Sequence, residues 1–168
     1  MFQVEQTYDL ASLTALCRAA RRTVRTFAKI LHIVCWCIIG VTAALFVLLI
    51  AIGGMPDLWM WAVLAALLAL LLCEDRINGW IALRQLLPGT AHSVTVFTDE
   101  DYTVTTDTTE TVYHYENITD LCEAEGYFFF FLGKRHGQIF DKRGFQAGGP
   151  DAFRACLERK TGLTFRKV

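Results

Sequence analysis

From Ile30 to Cys73 the chain is almost unbroken hydrocarbon. No Asp, Glu, Lys or Arg stands between Lys29 and Asp57, and none between Asp57 and Glu74. Gly53-Gly54-Met55-Pro56-Asp57 divides the two runs. A helix needs about 20 apolar residues to cross a bilayer, so the pattern predicts a hairpin of two transmembrane helices. The first span is predicted over Phe27 to Ile52, longer than a ~30 Å hydrocarbon core requires. It also exceeds the ~7–15-residue core of a secretory signal, so it is read as a span. The second, Leu58 to Cys73, is short. It must borrow Met55-Pro56-Asp57 or continue beyond Glu74. Ile77, Trp80, Ile81 and Leu87 do continue an apolar stripe opposite Arg76 and Arg84, until Leu87-Pro88-Gly89 stops it. This extension lies on the membrane or packs beneath a soluble domain.

The flanks have other periods. Residues 2–8 alternate apolar and polar, a short strand that must pair with something downstream. Asp9, with Ser12 as a second candidate, is placed to cap a helix from Leu10, which the spacing of Leu13, Leu16 and Cys17 supports and which is expected to run directly into the first span. From His92 the period returns to two. Strands are predicted over 94–96, from Tyr102, over 111–116, through Leu121 to Ala124, over Tyr127–Leu132 and over 138–141, with polar turns between them: an antiparallel meander. Pro150 and Asp151 suit a first helical turn, and Gly162 a helix end. The expected core joins the aromatic strand to Phe97, Tyr113, Tyr115, Ile139, Phe145, Phe153 and Leu157. The predicted fold class is a membrane α-helical hairpin plus α+β: two transmembrane helices inserted after an N-terminal strand, then a small antiparallel β-meander with a C-terminal helix. The divisions are 1–26 for the N-terminal strand and helix, 27–89 for the hairpin with its extension, and 90–168 for the β domain. Residues 2–8 and 94–168 are expected to share one sheet.

Charge orients this layout. The chain carries 16 Lys and Arg against 17 Asp and Glu, so its net value says little. Its distribution says more: Arg18, Arg21, Arg22, Arg25 and Lys29 crowd the entry to the first span, Arg76 and Arg84 follow the second, and the turn has no base. Positive residues favour the cytoplasmic side. The expected location is the cell membrane, multi-pass, with both termini cytoplasmic. The six cysteines form no CxxC pair and match no zinc spacing, so no metal or other cofactor is expected.

The order of elements resembles the YcxB-like family of bacterial membrane proteins. The likeness is carried by Val94-Thr95-Val96-Phe97 with its acidic turn, Tyr115-Glu116-Asn117-Ile118, Tyr127 to Leu132, and Asp141-Lys142-Arg143-Gly144-Phe145, in which Lys142 and Phe145 take the family's Lys and Phe places. The resemblance implies a β domain similar to pleckstrin-homology (PH-like) sheets, in the bacterial inner membrane, acting as a membrane-anchored regulatory or binding module. It names no ligand.

Neither span holds a mid-membrane Asp, Glu, Lys or Arg, which disfavours an ion-coupled transporter. His32 lies one turn inside Lys29, near the expected interface. Nucleophile-elbow, metalloprotease, P-loop and dinucleotide motifs are all lacking, so the chain is not expected to be an enzyme. Lys134, Arg135, His136, Lys142 and Arg143 bracket the last predicted hairpin. If antiparallel pairing brings these two basic clusters together, they would grip a phosphate or lipid headgroup. Arg18, Arg21, Arg22, Arg25 and Lys29 form a basic stretch at the membrane surface. Expected partners are the bilayer, a second copy of the chain, and a protein or nucleotide ligand. The acidic excess of the β domain argues against nucleic acid. An alternative has the coarse layout of two-span effectors of antiphage defence: a β domain that senses a phosphorylated small ligand, and a hairpin that oligomerises to perturb the membrane.

Overall fold

The computed structural model describes residues 1–124, 126–133 and 136–168. Strand β1 (Phe2–Thr7) leads into helix α1 (Leu10–Arg22). Asp9 caps α1 as its position suggested: its carboxylate accepts the Ser12 N–H at 2.7 Å, and the Ser12 hydroxyl accepts the Asp9 N–H at 2.9 Å. α1 does not run into the next helix. It stops at Thr23, whose N–H turns back to Ala19, and α2 (Thr26–Ala51) starts afresh after Arg25. The hairpin closes through Gly53, whose φ of 84° only glycine adopts freely, into α3 (Leu58–Gln85).

α2 and α3 are long and apolar enough to cross a membrane, with mean hydropathies of 2.9 and 1.9. At about 1.5 Å per residue, α3 is one rod of roughly 42 Å. The short apolar run therefore continues through Glu74-Asp75-Arg76 without a break. Its extension packs on α1. The approach is close at Gly79, where a Cβ would lie 2.8 Å from the Thr14 nitrogen and 2.9 Å from its Cα.

The β domain follows as β2 (His92–Phe97), β3 (Asp101–Thr106), β4 (Glu110–His114), β5 (Asp120–Glu123), β6 (Tyr127–Phe131), β7 (Gly137–Asp141), β8 (Phe145–Ala147), α4 (Pro150–Thr161) and β9 (Arg166–Lys167). β1 joins it as the alternation predicted, antiparallel to β2 with Phe2 opposite Phe97. The strands form two sheets where one was expected. The first has the order β4-β3-β2-β1-β8 and the second β7-β6-β5-β9. The meander breaks after His114, where Tyr115–Asn117 forms a 3₁₀ turn in place of the end of the predicted third strand. β8 was not foreseen. It pairs with β1 beside Gly144, where a Cβ would meet the Glu5 carbonyl oxygen.

Aromatic burial explains the two layers. Side chains alternate across a strand, so β6 with its four consecutive phenylalanines is buried on both faces. Phe128 and Phe130 enter the core between the sheets, with Val4, Phe97, Tyr102, Phe140, Phe153 and Leu157. Phe129 and Phe131, with Ile139 and Cys122, face the other way onto Ala19 and Ala20 of α1. Ile139 therefore belongs to a second cluster and not to the expected common core. α4 seals the first cluster: Phe153 is fully buried, with its ring 4.7 Å from that of Phe97 and 4.9 Å from that of Phe145. The layers run sheet, sheet, α1, α3. Through α1, the β domain reaches the long helices.

Candidate functional site

The charged groups of the hairpin gather where α1, α2 and α3 meet. Arg21 projects from α1 and holds Asp75 of α3 through two bonds, Nε to Oδ1 at 2.9 Å and Nη2 to Oδ2 at 2.6 Å. The two side chains are 17% and 12% exposed. Arg18, nearly one turn earlier, places its Nε 3.5 Å from the same carboxylate. The Arg21 Nε is also 3.9 Å from Glu74 Oε2. That oxygen lies 2.7 Å from His32 Nδ1 on α2. Trp36 completes the chain, donating its indole N–H to His32 Nε2 at 3.1 Å. An indole nitrogen can only donate. His32 Nε2 therefore accepts, and the ring proton sits on Nδ1 facing Glu74. The result is a relay of contacts from the helix under the sheet to both long helices.

The sequence treated these residues separately, with the arginines as an orientation signal and His32 as an interfacial side chain. A usable signal was present. Glu74-Asp75 ends the second apolar run at the same end of the hairpin as the basic stretch that opens the first. Of that stretch, Arg18 and Arg21 are engaged. Arg22, Arg25 and Lys29 are exposed and make no ion pair among the described residues.

The basic hairpin of the β domain is arranged differently. Lys134 and Arg135 lie outside the described residues. His136 is exposed. The register of β6 and β7 pairs Phe131 with Gly137 and Tyr127 with Asp141. His136 is therefore at one end of β7, and Lys142 and Arg143 are past the other, with the strand's five residues, about 17 Å, between them. Among the described residues, pairing therefore does not bring His136 to Lys142 and Arg143. Lys142 is bound to Glu123 at 2.6 Å, with its ammonium 4.8 Å from the centre of the Phe128 ring. Arg154 also approaches Glu123, at 3.3 Å. Arg143 folds back onto Asp141 at 2.8 Å.

Of the remaining candidates, His92 meets Glu5 at 2.8 Å across β2 and β1, and His114 is exposed at the end of β4. Asp99 pairs with Lys160 at 3.1 Å, while Asp101 accepts the Thr98 hydroxyl at 2.6 Å. The Arg143 side chain and backbone N–H hold the Asp141 carboxyl below its usual range despite partial burial. The Ser12 backbone N–H does the same for Asp9. Burial pushes up the Cys17 and Cys122 thiols, which opposes thiolate formation. Burial also raises the Tyr102 phenol, whose O–H donates to Gln138 at 2.8 Å inside the core.

A comparison with known proteins finds a match within the β domain. Residues 97–157 match the family model described as YcxB-like protein. The match supports the resemblance read from the sequence. Tyr115-Glu116-Asn117-Ile118, Tyr127 to Leu132 and Asp141 to Phe145 all fall inside it. The matched segment spans the end of β2 through most of α4. β1, α1 and the two long helices lie before it. No curated protein and no solved structure matches the chain.

Proposed function

We propose that the chain is a membrane-anchored binding or regulatory module, in which a cytoplasmic PH-like β domain is clamped through α1 to a two-span hairpin. One observation carries the reading: burial in α2 and α3 is inverted. Phe46 is the buried residue of α2, and Asp75 and Gly79 are those of α3, while Leu, Ile, Val and Trp side chains along both helices are exposed. A soluble protein would hide those apolar faces. A helix pair in lipid exposes them and turns its polar groups inward.

The charge distribution supports the orientation. Arg18 to Lys29 and Arg76 to Arg84 lie at one end, and the turn at the other offers only Asp57. With no nucleophile–base pair in the described geometry, binding is favoured over catalysis. The Arg21–Asp75 clamp gives such a module a fixed relation between its sheets and its spans.

The test is fractionation of the full chain expressed in bacteria. Expected are retention in the membrane pellet at alkaline pH, labelling of a cysteine placed at Met55 from outside the inner membrane, and protection of one placed at Thr108. Release at alkaline pH would overturn the reading. Overproduction that depolarises the membrane would replace a passive anchor with the effector reading.

A further inference from the structure

We propose that the cleft between α2 and α3 seats one anionic phospholipid of the cytoplasmic leaflet, with an acyl chain in the cleft and the phosphate on Lys29 and Arg25. The inference rests on the membrane reading above.

The hairpin is not packed along its whole length. Toward the turn the helices meet through Phe46 and Trp61, whose rings stand edge to face 5.2 Å apart. Toward the charged end they leave a cleft of about 320 Å³. Leu31, Cys35 and Ile39 form one wall, and Leu67, Leu70 and Leu71 the other. Ligand pockets run from about 300 to 1,000 Å³, so the cleft suits one hydrocarbon chain and not a whole lipid. His32 and Glu74 are the polar residues of the lining and are bonded to each other at 2.7 Å. Their bond leaves neither polar group unpartnered, and Arg21, 3.9 Å away, faces the Glu74 charge.

Charge at the mouth selects the headgroup. The acids there are Glu74 and Asp75, and both are engaged by Arg21, with Arg18 a further partner of Asp75. Arg22, Arg25 and Lys29 make no ion pair among the described residues, so the end of α2 beyond the cleft is net positive. Residues three and four apart share a helix face. Lys29 stands three before His32 on α2, and Arg25 is the residue that caps the start of that helix, so two cations extend beyond the charged end of the cleft. An apolar slot below two cations is complementary to an amphiphile with an anionic head. In a bacterial inner leaflet that amphiphile is an anionic phospholipid.

The experiment uses the full chain in nanodiscs of equal phosphatidylglycerol and phosphatidylcholine, released into mild detergent and weighed by native mass spectrometry. One retained phosphatidylglycerol per chain is expected, in preference to phosphatidylcholine. Lys29→Ala and Arg25→Ala should each lower that preference about fivefold. Ile39→Trp fills the slot and should abolish retention with both bases intact. Leu45→Trp, on an exposed face of α2, should change nothing. Equal retention of both lipids, a bound lipid unaffected by Ile39→Trp, or a lipid-free dimer would each overturn the proposal. Alkaline extraction of the same variants reports insertion separately, so failure of the anchor reading is distinguishable from failure of the lipid site.

Discussion

Arg21 and Asp75 join the β domain to the long helices through a two-pronged ion pair, with both bonds at 2.9 Å or shorter. The pair sits between α1 and α3 with little exposure, so it differs from a surface salt bridge. Removing one partner strands the other charge, and such losses cost about 3–5 kcal/mol at buried sites. Asp75→Asn and Arg21→Ala are each expected near the lower end of that range, because Arg18 and Glu74 remain to share the orphaned charge. Denaturant unfolding in detergent measures it. The double variant should cost less than the sum of the two.

Gly79 makes a steric prediction at the same junction. Gly79→Ala pushes a methyl into the Thr14 backbone, which cannot rotate away, and should destabilise by about 1–3 kcal/mol. Gly40→Ala is the matched control. Nothing lies within 4 Å of a Cβ there, so the substitution should be neutral or slightly stabilising. Equal thermal shifts for the two variants would refute the close approach of α1 and α3.

Phe153 is the plug of the inner core. Phe153→Ala leaves a cavity among Phe2, Phe97, Phe128 and Phe145, and should cost about 3–5 kcal/mol. Loss of near-ultraviolet dichroism before loss of helix signal would show that the β domain opens while the hairpin holds.

Acid should weaken the fold through Asp9 and Asp141. Both carboxyls are depressed in the folded chain. Their stabilisation is therefore complete above the unfolded carboxylate value of about 3.9 and is lost as pH falls through the lower folded values. Stability attributable to them should be flat from neutral pH to about 5 and should fall below about 4. Asp141→Asn should shallow that acid limb, and Asp9→Ala should lower stability by about 1 kcal/mol at neutral pH by removing a helix cap.

The sequence made some of this structure legible and hid the rest for physical reasons. The two long apolar helices, the Asp9 cap, the strand order from His92 and the docking of β1 all follow from period, charge and turn chemistry, which are local. The division into two sheets does not. Tyr115 continues the alternation of β4 while its backbone turns into a 3₁₀ coil, so the period carries no sign of the break. β8 is three residues long and exists because β1 offers an edge beside Gly144. The Arg21–Asp75 pair joins residues 54 apart in sequence, a distance over which spacing is silent. The basic cluster illustrates the converse: His136 and Lys142 are near neighbours in sequence, yet β7 holds them apart.

The place of β1 has a consequence for biosynthesis. It precedes both long helices in the chain, yet it lies between β2 and β8, whose residues begin at His92 and Phe145. Its β2 edge is matched only once both long helices have been made, and its β8 edge only once nearly the whole β domain has followed. The sheet therefore closes only after both long helices have been made, and translation order places the helical hairpin ahead of a finished β domain.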